Sequence, residues 1–591
     1  MPAHASGRHP AAEPLDHPRI HAEPLIAPAP QHRPALLRGD GALHETLPGL
    51  PELDCGAARR GRLREGGMSG IETTPVSGGA ACIPADAGPS DAALWDMPAA
   101  GLSHIAFSFT NRCNLRCVYC PQGTHPDDFH AETPKEQIER IIAYALEKRV
   151  SRISIGYYGE TMLVDGWEKA VEPLFDQGFI LNLVSNFSKV MTPAEVAAVS
   201  RFQEVQISID TIDIPLLKQV RKAVDARTIL YNTHLIRAHV LRHGLPMPKL
   251  IWTSVLTDRV AEGMPDLVAT AISSSVPAIN CVEVAYIDGV GANAVRHLND
   301  AEEDVFRRGF AAVHEARRLA LRHGVSFALG GAERMARRAL ALYGRQEFGR
   351  ITRTLTGLDD LDAGRRIFIY GAGSVGHALR NRLPDRMVAG FIDSERHGTL
   401  DGLPLLSFDL YRQQRTADDL ILIGSSFEDE IEGRLLAHGI DGYRRAFRGL
   451  PASAGIGQGP DGDDTQAAAG GGPHLRRQGI QGEYSFSGDA LDDLPPGMTR
   501  MCTTPWTNVF LAPKGEAYAC CFRGQVMGTL KDDGGIDGIM AGEAYRDLRR
   551  RLLSGTDLDP ECRLCTGSAM VTPQELREQL IRLAQPPGGQ G

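Results

Sequence analysis

Cys113-Asn114-Leu115-Arg116-Cys117-Val118-Tyr119-Cys120 places three thiols within eight residues, directly after an apolar run from His104 to Thr110 that reads as a buried strand. A loop with this spacing can wrap three thiolates around one corner of an iron–sulfur cube while the backbone curls between them. A 4Fe–4S cluster usually takes four cysteines, so three leave one iron open to another ligand. His125 lies close by, and a zinc site of three cysteines and one histidine is the alternative use of the same residues.

Outward from this loop, helical and strand periods alternate. Thr133-Pro134-Lys135-Glu136 is a capping box with Pro at the first helical position, opening a helix whose apolar face is Ile138, Ile141, Ile142 and Leu146. A strand over Arg152 to Tyr157 follows, then a helix from about Asp165 and a strand over Phe179 to Val184. Thr192-Pro193-Ala194-Glu195 is a second capping box. Strands Val205 to Ile209, Leu250 to Leu256 and Cys281 to Ile287 come next, each followed by helical sequence. Successive strand–helix units of this kind imply an α/β fold of parallel strands and crossover helices, either barrel-like or an open doubly wound sheet.

Cys-x3-Cys-x2-Cys with an aromatic before the last cysteine, on the loop after the first strand, resembles the radical S-adenosylmethionine (SAM) superfamily. The resemblance covers roughly residues 103 to 330 and implies a partial (β/α)6 barrel over 101–335. In that family Cys113, Cys117 and Cys120 would ligate a SAM-cleaving cluster whose open iron chelates the amino and carboxylate groups of SAM. An electron from the reduced cluster would cleave the sulfonium to a 5′-deoxyadenosyl radical, which abstracts a substrate hydrogen. The chemistry is the cofactor's, and the protein supplies position and exclusion of water. Tyr119 is the aromatic of the motif. Tyr157-Tyr158-Gly159-Glu160-Thr161 is similar to the family's Gly-Gly-Glu motif, with Tyr158 in place of the first Gly, so Gly159 and Glu160 would hold the methionine amino group. Ser185-Asn186, and Ser208 with Asp210, fall at strand ends where the family places polar and ribose contacts. Polar residues are common at such ends, and each of these also fits an ordinary loop position. A flavodoxin- or ferredoxin-type reductant is implied.

A second set of cysteines lies near the C-terminus. Cys502, Gly515 and Cys520 form Cys-x12-Gly-x4-Cys, and Cys562-Arg563-Leu564-Cys565 follows. This resembles the SPASM/Twitch extension of the same superfamily, here over 498–572 and expected to pack back on the barrel mouth. The fuller form has more cysteines, and none follows Cys565. The resemblance therefore implies one auxiliary 4Fe–4S cluster held by Cys502, Cys520, Cys562 and Cys565. Cys521 points opposite to Cys520 on a strand and reads as a core residue, as does Cys281 in its apolar strand. A four-cysteine zinc ribbon is the alternative. Four protein ligands leave no open iron, which suits electron transfer and a net two-electron oxidation of the substrate.

Between these regions, Ile367-Phe368-Ile369-Tyr370-Gly371-Ala372-Gly373-Ser374-Val375-Gly376-His377 is a strand, a Gly-x-Gly-x-x-Gly turn and a helix start. Glycines there allow a tight turn and close approach of backbone to phosphate at a helix N-terminus. Asp393 ends the next strand, about where a ribose hydroxyl would lie. The segment 362–449 resembles the small Rossmann-like nucleotide-binding domains appended to sugar-modifying enzymes, with Gly371, Gly373, Gly376 and Asp393 as its candidate ligand residues. Its size favours a mononucleotide or nucleotide-sugar over a nicotinamide dinucleotide, beside a purely structural role.

The 591 residues suffice for about three to four domains. A formal charge of −10 and the lack of a dense basic run exclude a nucleic-acid footprint, and no apolar run is long enough to span a bilayer. The eleven cysteines cluster as metal ligands do, in a chain with no signal pattern, so a cytoplasmic protein is expected. Residues 1–95, rich in Pro, Ala, Gly and His, and the Gly/Asp/Ala-rich stretch within 450–490 read as disordered tail and flexible linker. Met68 and Met97 are candidate alternative starts. The function expected is radical SAM chemistry on a small, sugar- or nucleotide-linked molecule. The alternatives are peptide or protein maturation of the SPASM type and, outside enzymes, a zinc-stabilised nucleotide-binding scaffold.

Overall fold

Strand β1 (His104–Phe107) opens a parallel series that runs in sequence order across one sheet. In the computed structural model it is followed by β2 (Arg152–Ile155), β3 (Ile180–Ser185), β4 (Glu204–Ser208), β5 (Lys249–Val255), β6 (Ala278–Val282) and β7 (Ser326–Leu329). Each pairs in parallel with the next. β7 is a seventh strand beyond the six expected, and among the described residues no pairing closes it onto the far edge. Parallel order needs a crossover between neighbours, and the helices supply it, covering strand side chains such as Ile105, Ile155, Leu183, Val205 and Trp252, all buried. The structure describes residues 94–95, 102–283, 295–357, 361, 364–383, 387–446, 497–520, 524–531, 534–563, 565, 568 and 570–584, within one compact unit, Ile83–Gly591.

The two capping boxes have different fates. At helix α1 (Lys135–Lys148), Pro134 occupies the N-cap and no side chain caps the helix. Thr133 runs beside the first strand's continuation, its N–H bonded to Phe109 O, and its hydroxyl donates to Ser108 O at 2.5 Å. Tertiary pairing has taken the side chain the cap required. Helix α2 (Pro193–Val199) forms its box: Thr192 Oγ1 accepts from Glu195 N–H at 3.2 Å, and the Glu195 carboxylate accepts from Thr192 N–H at 2.8 Å. The helix expected from Asp165 is a single turn, Trp167–Ala170, followed by a 3-10 turn, Glu172–Leu174. Pro173 lacks the N–H needed to continue it. β6 starts earlier than the sequence suggests, so Cys281 is its next-to-last residue, fully buried, and Ile287 lies outside the described residues.

The C-terminal cysteine region joins the main sheet by strand pairing. β16 (Asn508–Leu511) lies parallel to β1 with His104 opposite Asn508, and β17 (Glu516–Tyr518) and β18 (Gly528–Thr529) continue antiparallel. Gly515 makes the hairpin turn at φ +93°. Leu94 and Trp95 belong to this junction, contrary to the expected disorder of 1–95. Trp506 Nε1 donates to Leu94 O at 2.8 Å, and Arg549 Nη1 donates to Trp95 O at 3.1 Å. The rest of 1–95 and the expected linker lie outside the described residues.

A second sheet runs in the order β11-β12-β10-β9-β13-β14-β8. Its strands are β8 (Thr354–Leu355), β9 (Arg366–Tyr370), β10 (Val388–Asp393), β11 (Gly398–Leu400), β12 (Leu403–Ser407), β13 (Asp419–Ile423) and β14 (Tyr443–Ala446). The inner order, with β10 and β12 on one side of β9 and β13 and β14 on the other, is a doubly wound arrangement with its switch point beside β9. Helix α3 (Glu303–Arg322) of the first sheet is tied to this layer by Arg317 Nη1, which donates to the buried Glu432 at 2.8 Å. Among the described residues no helix is long and apolar enough to cross a membrane.

Candidate functional site

The three thiols of the opening motif sit on the loop leaving the C-terminal end of β1. Cys117 is buried, while Cys113 and Cys120 are half-buried. The Cys120 carbonyl accepts from Gly123 N–H at 2.9 Å and Thr124 N–H at 3.1 Å, so a short helical turn, Pro121–Thr124, folds back under the loop. A Cβ on Gly123 would overlap the Cys117 carbonyl oxygen, so only glycine permits that fold-back. Asn186 Nδ2 reaches Cys113 Sγ at 3.6 Å and Asn114 Oδ1 at 3.0 Å.

Beneath the loop lies a buried ion pair that the sequence did not reveal. Arg221 grips Asp210 through Nε to Oδ2 and Nη2 to Oδ1, both 2.8 Å. Tyr119 OH donates to Asp210 Oδ2 at 2.7 Å and Val255 N–H donates to Oδ1 at 2.9 Å. A carboxylate offers about four acceptor sites, and all are filled from within the protein. Asp210, fully buried, is therefore a support of the cysteine loop and not the ribose contact expected of it, and the Tyr119 hydroxyl is directed inward to it. The Arg221 backbone carbonyl accepts from Arg116 N–H at 3.2 Å, and Val220 O accepts from Val118 N–H at 2.9 Å, clamping the loop from below. An arginine just after a helix carries no sequence signal for this role, because the partner lies on another strand.

Glu160 sits at the end of the β2 loop, fully enclosed. Its Oε1 accepts from Ser185 Oγ at 2.8 Å and Met162 N–H at 3.2 Å, and its Oε2 from Asn186 N–H at 2.8 Å. One acceptor site of the carboxylate stays open. Burial pushes its pKa up, against the pull of those hydrogen bonds. Gly159 has φ +81°, and a Cβ there would stand 2.5 Å from the carbonyl oxygens of Thr110 and Arg112, so this glycine is required. Tyr158, at the motif's variant position, donates its N–H to Ser108 Oγ at 2.8 Å, and its ring packs 5.9 Å from Tyr518 of the C-terminal hairpin. Ser208 is half-buried at the end of β4. Cys113, Asn186, Ser185 and Glu160 are thus brought together, while Asp210 and Tyr119 form a layer below them.

Burial raises all three thiols, Cys117 to about 12, so iron must displace protons that burial holds in place. A cavity of about 300 Å³ opens beside the loop, lined by Arg112, Cys113, Arg116, Gln122, Phe129 and Leu163 among others. Thiol donors on one loop, with room beside Cys113, fit a 4Fe–4S cluster with SAM on its open iron. Among the described residues no group of three or more His, Cys, Asp or Glu is gathered closely enough to hold a single metal ion. His125 Nδ1 instead lies 3.0 Å from Thr124 Oγ1.

In the C-terminal region Cys502, Cys520, Cys562 and Cys565 are half-buried. Burial, aided by Cys565 and Cys520, pushes Cys502 up to about 11 against the pull of its hydrogen bonds with Thr504. Arg500, which sequence reading passed over, organises the Cys562–Cys565 turn by donating to the carbonyls of Cys562 (3.3 Å), Ser568 (3.3 Å) and Arg563. This all-thiol set fits the expected second cluster. Cys521 lies outside the described residues.

At the glycine-rich turn, Gly371 has φ +125° and abuts the Gly424 carbonyl, Gly376 abuts the Gly371 carbonyl, and Gly373 faces open space. Asp393 does not stand free for a ribose. Its Oδ2 accepts from Arg396 Nη2 at 2.8 Å and its Oδ1 from the N–H groups of Glu395 and Arg396, so it caps its own loop.

Residues 107–246 match the Radical SAM superfamily, and residues 502–566 match SPASM, an iron–sulfur cluster-binding domain. A probable GTP 3′,8-cyclase of Pyrococcus abyssi is 25% identical over 150 residues, 24% of this chain and 48% of that protein. The GTP 3′,8-cyclase of Heliobacterium modesticaldum is 30% identical over 121 residues, 20% of this chain and 37% of the relative. The chain thus spans less than half the length of the curated relatives it matches. Among solved structures, Streptococcus suis SuiB bound to S-adenosylmethionine overlaps 42% of this chain and 55% of its own at 15% identity and a TM-score of 0.32. Native anSMEcpe with bound AdoMet overlaps 38% and 64% at 14% identity and 0.31. Cys113, Cys117 and Cys120 thus fall within the stretch that matches the Radical SAM superfamily, and Cys502, Cys520, Cys562 and Cys565 fall within the stretch that matches the iron–sulfur cluster-binding SPASM domain.

Proposed function

We propose that this enzyme reductively cleaves SAM and uses the resulting radical to take a hydrogen atom from a small, sugar- or nucleotide-linked substrate. The observation that carries the reading is the Cys113–Cys117–Cys120 loop, held rigidly at the C-terminal end of β1 by Arg221 and Asn186. The matched relatives named as GTP 3′,8-cyclases favour a nucleotide-linked substrate. Bound on that loop, a 4Fe–4S cluster with SAM would supply one electron to the sulfonium, releasing methionine and the 5′-deoxyadenosyl radical.

The residues divide the remaining work. Cys113, Cys117 and Cys120 would hold three irons. Glu160, oriented by Ser185 and the Asn186 N–H, keeps one acceptor site for an ammonium group. Arg112 and Arg116 on the cavity wall suit a carboxylate. Cys502, Cys520, Cys562 and Cys565 would hold the second cluster, whose closed ligand set suits electron transfer with a flavodoxin- or ferredoxin-type reductant as the outside donor.

The test is 5′-deoxyadenosine formation by anaerobically reconstituted, reduced protein beside the Cys113/Cys117/Cys120→Ala variant. Product from the wild type alone supports the reading. Zinc in place of iron, or iron and SAM bound with no cleavage across candidate substrates, defeats it. A product mapped to a peptide would move the substrate to the maturase class.

A further inference from the structure

A second group of polar side chains converges at the same end of the sheet, on strands the cysteine loop does not use. Glu283 directly follows β6, Arg334 lies in the first turn of helix α4 (Ala332–Thr352) after β7, and His297 is bridged to Thr257 beyond β5. His297 Nε2 lies 3.5 Å from Glu283 Oε1, and Arg334 Nη2 lies 3.5 Å from the same oxygen and 3.6 Å from Asp300 Oδ2. The His297 ring is wholly buried. Its Nδ1 accepts from Asn299 N–H at 3.0 Å and faces Arg334 Nη2 at 3.2 Å, so the ring proton belongs on Nε2, aimed at Glu283.

Among the described residues Glu283 Oε1 and His297 Nε2 still have no hydrogen-bond partner. Buried polar groups are nearly always bonded, and these two stand just too far apart to satisfy each other. The carboxylate's seat is also built: Gly331 has φ +65°, and a Cβ there would overlap the Glu283 carboxylate. Burial holds His297 neutral, so two carboxylates, Glu283 and Asp300, face one guanidinium. That balance repels an anionic group and favours a hydrogen-bond donor.

We infer that Glu283, set between His297 and Arg334, is the specificity-determining acceptor for a hydroxyl or amino group of the substrate. The inference rests on the radical SAM reading, because it assigns the substrate to the sheet end where that chemistry would occur. A phosphate or carboxylate of the substrate belongs elsewhere in the site.

Calorimetric titration of the cluster-loaded, SAM-bound full chain with D-glucosamine, D-glucose and D-glucuronate tests it. Glucosamine and glucose are expected to bind and glucuronate not. Glu283→Gln should weaken both at least about tenfold, the scale for losing a charged acceptor, with SAM affinity unchanged. Arg334→Gln makes the site more negative and should raise the ratio of glucosamine to glucose affinity, which keeps the test open if Glu283→Gln does not fold. Binding led by glucuronate, no probe binding, Glu283→Gln binding as the wild type does, or an unmoved Arg334→Gln ratio overturns the inference. Failure of SAM to bind or be cleaved by the wild type would instead strike the reading beneath it.

Discussion

Arg221 and Asp210 form a two-point ion pair, each bond 2.8 Å, directly under the cysteine loop, and the Arg221 carbonyl holds that loop through Arg116 N–H. The side chain and the backbone of one residue therefore link the end of β4 to the thiols on β1. Replacing Asp210 by Asn leaves a buried guanidinium uncompensated, a loss of about 3–5 kcal/mol for breaking such a pair. We expect Asp210→Asn to unfold at lower denaturant and to retain less iron after reconstitution, measured by chemical denaturation and iron assay. Unchanged iron content would show that the loop does not depend on the pair.

Gly159 should be the least replaceable glycine of the β2 loop. Alanine there meets two carbonyl oxygens at 2.5 Å in a left-handed conformation. Gly159→Ala is expected to lower SAM affinity more than tenfold, roughly 1.4 kcal/mol or more by the usual conversion, and filter binding with labelled SAM checks it. Gly166, with φ +75° and nothing within 4 Å, is the control: alanine there should carry only the backbone strain and leave SAM affinity unchanged.

The two threonines read as caps make a paired prediction. Thr192→Ala removes a formed box and should cost about 1 kcal/mol. Thr133→Ala removes a hydroxyl bond to Ser108 O on the strand that carries the cysteine loop. Its effect should appear as faster amide exchange along β1 and not as fraying of α1. Hydrogen exchange resolved by segment distinguishes the two.

His104 joins β1 to its neighbours, with Nε2 2.8 Å from Ser154 Oγ and Nδ1 accepting from Asn508 Nδ2 at 3.1 Å. Burial, aided by Arg152, lowers its pKa to about 4. The unfolded chain takes up that proton near the ordinary value of about 6.5. The contribution is thus fully present above about 6.5 and is lost as pH falls toward about 4, on the order of 3 kcal/mol over that window. Denaturation midpoints of wild type and His104→Gln across this range should converge at the acid end. Parallel curves would remove His104 from the acid response.

Cys502→Ala should abolish the second cluster alone. Iron content is expected to fall by about four per chain while the cluster on the β1 loop keeps its SAM-dependent spectroscopic shift. Electron paramagnetic resonance of the reduced protein with and without SAM reads both.

Much of this protein could be read along the chain. The cysteine spacing named the cofactor class because three thiols within eight residues are a local fact, and period and capping signals placed most strands within a few residues. The Thr192 box formed because nothing else claimed its side chains. What failed locally did so where a distant partner competed: Thr133 was taken by Ser108, and Asp210 by Arg221 and Tyr119. Leu94 and Trp95 were ordered by Trp506 and Arg549, more than four hundred residues away in sequence. The sequence by itself determined the chemistry of the ligands and the alternation of strands with helices, since both follow from residue type and short-range period. Only the tertiary structure decided that the C-terminal hairpin extends the sheet beside β1, and that Glu283, His297 and Arg334 meet at one strand end. Contacts between segments so far apart depend on which strands pair, and a single chain's local periodicities carry no term for that.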